Sequence, residues 1–285
     1  MDLIHWLYEP FTMDFMQQAL VIALLVSVSA GALSCLLVLK GWSLMGDAVS
    51  HAVLPGIVIA YLLNIPMLIG AFVSGMVCAL STGYLTDNSR LKEDTVMGVV
   101  FSGLFALGIV LFTKIHTDLH LDHVLFGDVL GVSWSDILLT ACLTIPAFAL
   151  VIIKRRDLMV FAFDPQHARV VGLHTNMLHY GLLCVLSLVI VASIDAVGII
   201  LVIAVLIAPG AISFQLSKRF EHMLWWSIVI SISACFAGIM LSYHLDSAPA
   251  PTIVVILSGF FILSFLFAPE KGLLRKQPDI HINQL

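Results

Sequence analysis

Apolar residues run almost unbroken along this chain, in stretches of about 17 to 22 positions separated by short polar turns, and this matches the ~20 residues that a helix needs to cross a bilayer. A membrane barrel would instead read as segments of about ten residues with alternating polarity. Nine runs are read at 17–39, 46–63, 66–86, 95–113, 135–153, 176–194, 196–215, 223–243 and 251–268, the second being the most polar. The pattern predicts an all-α, polytopic membrane protein of about nine transmembrane helices, or eight. With no low-complexity stretch and no clear internal repeat, residues 1–285 are expected to form one transmembrane domain with a polar tail at 269–285.

Composition agrees: 60% of residues are hydrophobic and 11% charged, against about 25% charged in an ordinary soluble domain. No nucleic-acid partner is expected. Lysine and arginine collect on the cytoplasmic side of short loops. With nine spans and the N-terminus outside, Lys40, Arg90, Lys92, Lys154, Arg155, Arg156, Arg169, Lys218, Arg219, Lys271, Arg275 and Lys276 all fall inside, leaving only Lys114 outside. Adding or losing one span would scramble that asymmetry, so the C-terminus is expected in the cytoplasm. Residues 1–14 carry Asp2, Glu9 and Asp14 and no basic residue, which is unlike the start of a secretory signal. Cys35, Cys78, Cys142, Cys184 and Cys235 lie singly inside spans and read as small buried apolar residues.

Two polar motifs interrupt this background. Asp47 and His51 stand four residues apart at the head of the second span, so both leave one helix face and can converge on one ligand. A carboxylate with an imidazole suits a divalent transition metal. The bland alternative is that Asp47 caps the helix while His51 bonds a neighbouring carbonyl. In the loop after the fifth span, Phe163-Asp164-Pro165 opens a short helix that Asp164 can cap and that Gly172 can end, over about 164–173. Two turns are too few to be stable alone. This helix needs either a soluble subunit or the lipid headgroups to pack against.

These motifs carry a resemblance. The stretch Lys40 to Gly56, the segment Leu91-Lys92-Glu93-Asp94-Thr95, the loop Phe163 to Leu173, and the stretches Val197 to Val202 and Leu206 to Gly210 are together similar to the permease of bacterial ABC importers for manganese, iron or zinc. The turn Pro249-Ala250-Pro251-Thr252 departs from the family, which often has a glycine there.

The resemblance implies the membrane subunit of an ATP-driven importer of Mn2+ or Fe2+, with Zn2+ as the alternative cargo, in the bacterial inner membrane. It implies no enzyme activity and no permanently bound cofactor. The implied partners are a second permease subunit, identical or paralogous, two cytoplasmic ATPase subunits that dock around Phe163, Asp164, Ala168 and Gly172, and an extracytoplasmic metal-binding protein. The chain itself has no phosphate-binding G-x-x-x-x-G-K-[ST] motif, so ATP would be used by the partner. One carboxylate and one imidazole are too few for a metal that takes four to six ligands, and a twofold axis would bring two of each.

Other polar residues are weaker candidates. His116, His120 and His123, with Asp118 and Asp122 beside them, fall on one face of an external loop that could receive metal or simply be solvated. Glu93 and Asp94 read as a helix start. Asp195 is expected at an outer turn, His244 and Asp246 at the outer mouth, and Pro209-Gly210 either unwinds the seventh span or kinks it. Two rival functions use the same residues. An ion-coupled secondary transporter would bind its coupling ion at Asp47, and an intramembrane metalloenzyme would need further ligands and a base, for which no H-E-x-x-H is present.

Overall fold

The computed structural model describes residues 9–114, 127 and 129–267. After a 3-10 turn at Glu9–Thr12 come α1 (Asp14–Lys40), α2 (Met45–Leu62), α3 (Met67–Asp87), α4 (Glu93–Lys114), α5 (Trp134–Ile153), α6 (Arg155–Phe163), α7 (Pro165–Val170), α8 (Thr175–Leu216), α9 (Phe220–Leu245) and α10 (Pro249–Phe267). Among the described residues there is no strand, and eight of these helices are long and apolar enough to cross a bilayer. The least hydropathic of the eight is α2.

At 42 residues α8 would be about 63 Å long if straight, twice the ~30 Å hydrocarbon layer. It is broken at Gly198, whose φ of 77° and ψ of 163° lie outside the helical region and are open chiefly to glycine. The two legs, 175–197 and 199–216, then stand on the same end of the bundle. Thr175 and His179 line a cavity with Lys40 and Trp42, while Phe214 and Gln215 line another with Leu39 and Phe163. Counting the two legs separately, the described residues hold nine apolar helical segments within eight candidate spanning helices, matching the nine apolar runs of the sequence. The expected turn at Asp195 is displaced: Asp195 is still helical, and the reversal comes three residues later inside an unbroken apolar run.

Local chemistry sets the helix ends. Ser133 and Asp136 form a reciprocal capping box at the start of α5. Gly41 closes α1 in the left-handed conformation, with its N–H on the Leu37 and Val38 carbonyls. Pro249 and Pro251 sit in the first turn of α10, where a missing N–H costs nothing.

The core is made by α1, α2 and α8, which carry most of the fully buried side chains. In a bilayer, close helix contact depends on small residues and on polar groups that bond across helices. Gly56 of α2 and Gly70 of α3 meet backbone to backbone, so that a Cβ on either would collide with the other's carbonyl. Ser74 donates to the Ala52 carbonyl at 2.6 Å along the same seam, and Ser227 of α9 donates to the Gly31 carbonyl of α1 at 2.6 Å.

Pro209 and Gly210 neither unwind nor break the second leg of α8. Ser34 of α1 takes over there, accepting from Gly210 N–H at 2.8 Å and donating to the Ile207 carbonyl at 3.2 Å. Cys35, Cys78 and Cys235 are buried as expected, but Cys184 is half-buried and Cys142 faces outward from α5.

Gly56→Ala should push α2 off α3 at a cost of about 1–3 kcal/mol, measured as a lower midpoint of thermal unfolding in detergent. Gly259→Ala, where an added Cβ meets nothing within 4 Å, should leave that midpoint unchanged.

Candidate functional site: a carboxylate and imidazole pair at mid-depth

One helical turn separates Asp47 from His51, and their side chains meet: His51 Nε2 lies 3.3 Å from Asp47 Oδ1. The imidazole is walled by α4, stacked on Phe101 at 6.1 Å and 25° and edge-on to Phe105 at 5.1 Å. Its Nδ1 is buried with no hydrogen-bond partner among the described residues. Pro55 follows one turn later inside α2 and has no N–H to close the helical bond on the His51 carbonyl. The turn that carries the imidazole is thus less constrained than an ordinary helical turn.

Helical rungs give the depth of the pair. Gly46 packs against Leu206, and Gly75 faces both Val49 and Ser187. At 1.5 Å per residue, Leu206 is about 15 Å above the foot of α8 at Leu216, Ser187 about 18 Å above Thr175, and Gly75 about 18 Å above the end of α3. Phe101 and Phe105 stand about 12 and 18 Å above the start of α4. These ladders agree on the middle of a ~30 Å layer. The pair is nevertheless open: the Asp47 and His51 side chains retain 32% and 27% of their exposure.

Two donors that share a metal at about 2.1 Å stand roughly 3.0–3.5 Å apart, so the 3.3 Å separation fits joint coordination without rearrangement. Among the described residues no group of three or more histidine, cysteine, aspartate or glutamate side chains comes together. The chain presents two donors at this place.

The second motif folds as its residues dictate. Asp164 accepts from the Gln166 and His167 amides at 2.8 and 3.0 Å, Pro165 opens α7, and Ala168 is fully buried beneath it. Gly172 takes a φ of 88° and donates to the Arg169 carbonyl. Phe163, Val170 and Val171 are 65%, 84% and 61% exposed around this helix, an apolar surface at the end of the bundle that carries Lys154, Arg155 and Lys218. The two amide bonds, reinforced by His167, hold the exposed Asp164 carboxyl below the usual aspartate range.

The remaining sequence candidates do not join the pair. His116, His120 and His123 lie outside the described residues. Glu93 and Asp94 open α4, and Asp246 caps α9 in the left-handed conformation. The aromatic walls Phe101 and Phe105 were not singled out by the sequence; their spacing of four on a span that begins with two acids is the only local signal they give.

The model of the ABC 3 transport family matches residues 12–268. The chain is 55% identical over 259 residues to the chelated iron transport system membrane protein YfeD of Yersinia pestis, covering 91% of this chain and 87% of that one. It is 48% identical over 273 residues to the manganese transport system membrane protein MntB of Synechocystis, covering 96% and 89%. Among solved structures, PsaBC from Streptococcus pneumoniae in complex with a Fab matches with a TM-score of 0.84 at 34% identity, covering 94% of this chain and 97% of that one.

Since folding lowers the Asp164 pKa, the cap contributes fully above the ordinary aspartate range and is lost as pH falls through the depressed value. Amide hydrogen exchange at Gln166 and His167 should therefore quicken, beyond its intrinsic pH dependence, as the carboxyl protonates, and at neutral pH in Asp164→Ala. Asp164→Asn, which keeps an oxygen acceptor, should stay protected and lose the pH dependence.

Proposed function

This chain belongs to the ABC 3 transport family, and from that premise we propose that it is the membrane-spanning subunit of an ATP-driven importer of Mn2+ or Fe2+, with Asp47 and His51 as its half of a transit site. The observation that carries the reading is the open pair at mid-depth. A carboxylate facing hydrocarbon at the centre of a span costs about 2.5–3.5 kcal/mol on the insertion scale. That open side is therefore covered by a protein surface or by a water-filled pathway. A second permease subunit across a twofold axis would supply both, and would raise the donor set from two to four. Water can complete a six-ligand shell for either ion.

The basic end of the bundle faces the cytoplasm, following the retention of lysine and arginine on that side. There the capped α7, with its exposed Phe163, Val170 and Val171, docks an ATPase subunit, two per transporter. An extracytoplasmic protein delivers the ion to the opposite end, in the bacterial inner membrane. Relatives named for manganese and for chelated iron transport support the choice of cargo, and zinc is the alternative that the donor set admits.

In proteoliposomes with the ATPase and the binding protein, Asp47→Ala and His51→Ala should each lower metal uptake more than about tenfold, while co-purification with the ATPase is kept. Competition among Mn2+, Fe2+ and Zn2+ in the same assay identifies the cargo. Uptake at the wild-type rate by either variant would remove the site.

A further inference from the structure

A cation lying against two aromatic rings joins the segment that leads into the Asp47 turn to the arm that carries α7. Lys40, the last residue of α1, places Nζ 4.4 Å from the ring centre of Phe161 in α6 and 5.6 Å from that of Trp42. Trp42 is 1% exposed, and its carbonyl accepts from the Met45 N–H at 3.0 Å. Where this indole sits therefore fixes where α2 begins. Phe161 is 3% exposed, three residues before the Asp164 cap of α7. His179, in the first leg of α8, meets both rings edge-on, 5.1 Å from Trp42 and 6.2 Å from Phe161.

The same cluster lines a cavity of about 220 Å3 into which α7 also reaches through Pro165 and Arg169. Arg169 Nε donates to Thr175 Oγ1 at 2.9 Å, tying α7 to the foot of α8, and Glu93 lines the same cavity as Lys40. Cation–π attraction strengthens when the partners are withdrawn from water, as these rings are. A contiguous chain of packed groups of this kind is one physical route for coupling between distant sites. Here the chain runs from α7 through Phe161, Lys40 and Trp42 to α2.

We propose that Lys40, held against Phe161 and Trp42, is the positioning residue that hands displacement of α7 to the Asp47 and His51 turn. The proposal rests on the reading that α7 docks an ATPase. Lys40 touches no cargo. Its role is to make the start of α2 follow α6.

The test uses the complete transporter in liposomes and reads two rates, metal uptake and ATP hydrolysis. Lys40→Met keeps the stem and removes the charge, and should lower the ions moved per ATP about five- to tenfold, with ATPase co-purification and hydrolysis close to wild type. Lys40→Arg, whose guanidinium also sits on aromatic faces, should keep the wild-type ratio. Phe161→Leu removes the ring while leaving Lys40 and Glu93 in place. It should lower the ratio like Lys40→Met, and the double variant should be no worse than either single one.

An unchanged ratio in Lys40→Met, multiplying effects in the double variant, or loss of ATPase co-purification in Lys40→Met would each overturn the proposal, the last by making Lys40 part of the docking surface. A wild-type transporter that takes up metal without ATP would instead overturn the underlying reading, and the proposal with it.

Discussion

A bilayer core offers no hydrogen-bond partner, so each backbone group inside it must be satisfied by the chain itself. That constraint explains why the fold is helical throughout its described spans, and it makes the exceptions informative. At Pro209 the helix continues because Ser34 of α1 both donates and accepts beside it. At Gly198 the helix gives way, and the chain reverses there. At Pro55 the missing donor falls on the carbonyl of His51, whose imidazole faces a carboxylate.

Packing follows from the same solvent. Lipid tails are as apolar as leucine, so helices gain little from hydrophobicity alone and associate through close fit and buried hydroxyls. The seam between Gly56 and Gly70, the contact of Ser227 with Gly31, and the bond from Thr140 to the Ala192 carbonyl at 3.2 Å are of this kind. The core formed by α1, α2 and α8 holds the pair at mid-depth, and the lightly buried α4 supplies the two rings that wall the imidazole.

What could be read in the sequence was what local chemistry decides. The short helix α7 was legible to the residue, because Asp164, Pro165 and Gly172 each act within one turn of themselves. Asp47 and His51 were legible as a pair, since a spacing of four fixes their shared face, and the apolar helical segments followed from run length. Depth was not legible, because it depends on where the Trp42 turn seats the start of α2 among other helices. The break at Gly198 was misplaced because Asp195 offered a polar signal, whereas Gly198 sits silently between Val197 and Ile199. The cluster of Lys40 and Trp42 with Phe161 and His179 left no trace in the sequence, because its three segments are far apart along the chain.

The contact between Gly56 and Gly70 has a mechanical side. With backbones touching there, Ser74 bonded to the Ala52 carbonyl and the Cys78 thiol to the Ala48 carbonyl at 3.8 Å, α2 and α3 cannot slide or tilt independently without breaking the seam. They form one stiff plate with the turn of Asp47 and His51 mounted on its edge. Large motions of α2 are then rotations of the whole plate, with the left-handed Gly41 turn at one margin and the link from α3 to α4 at the other, while the His51 turn, short of one hydrogen bond at Pro55, keeps a local freedom of its own.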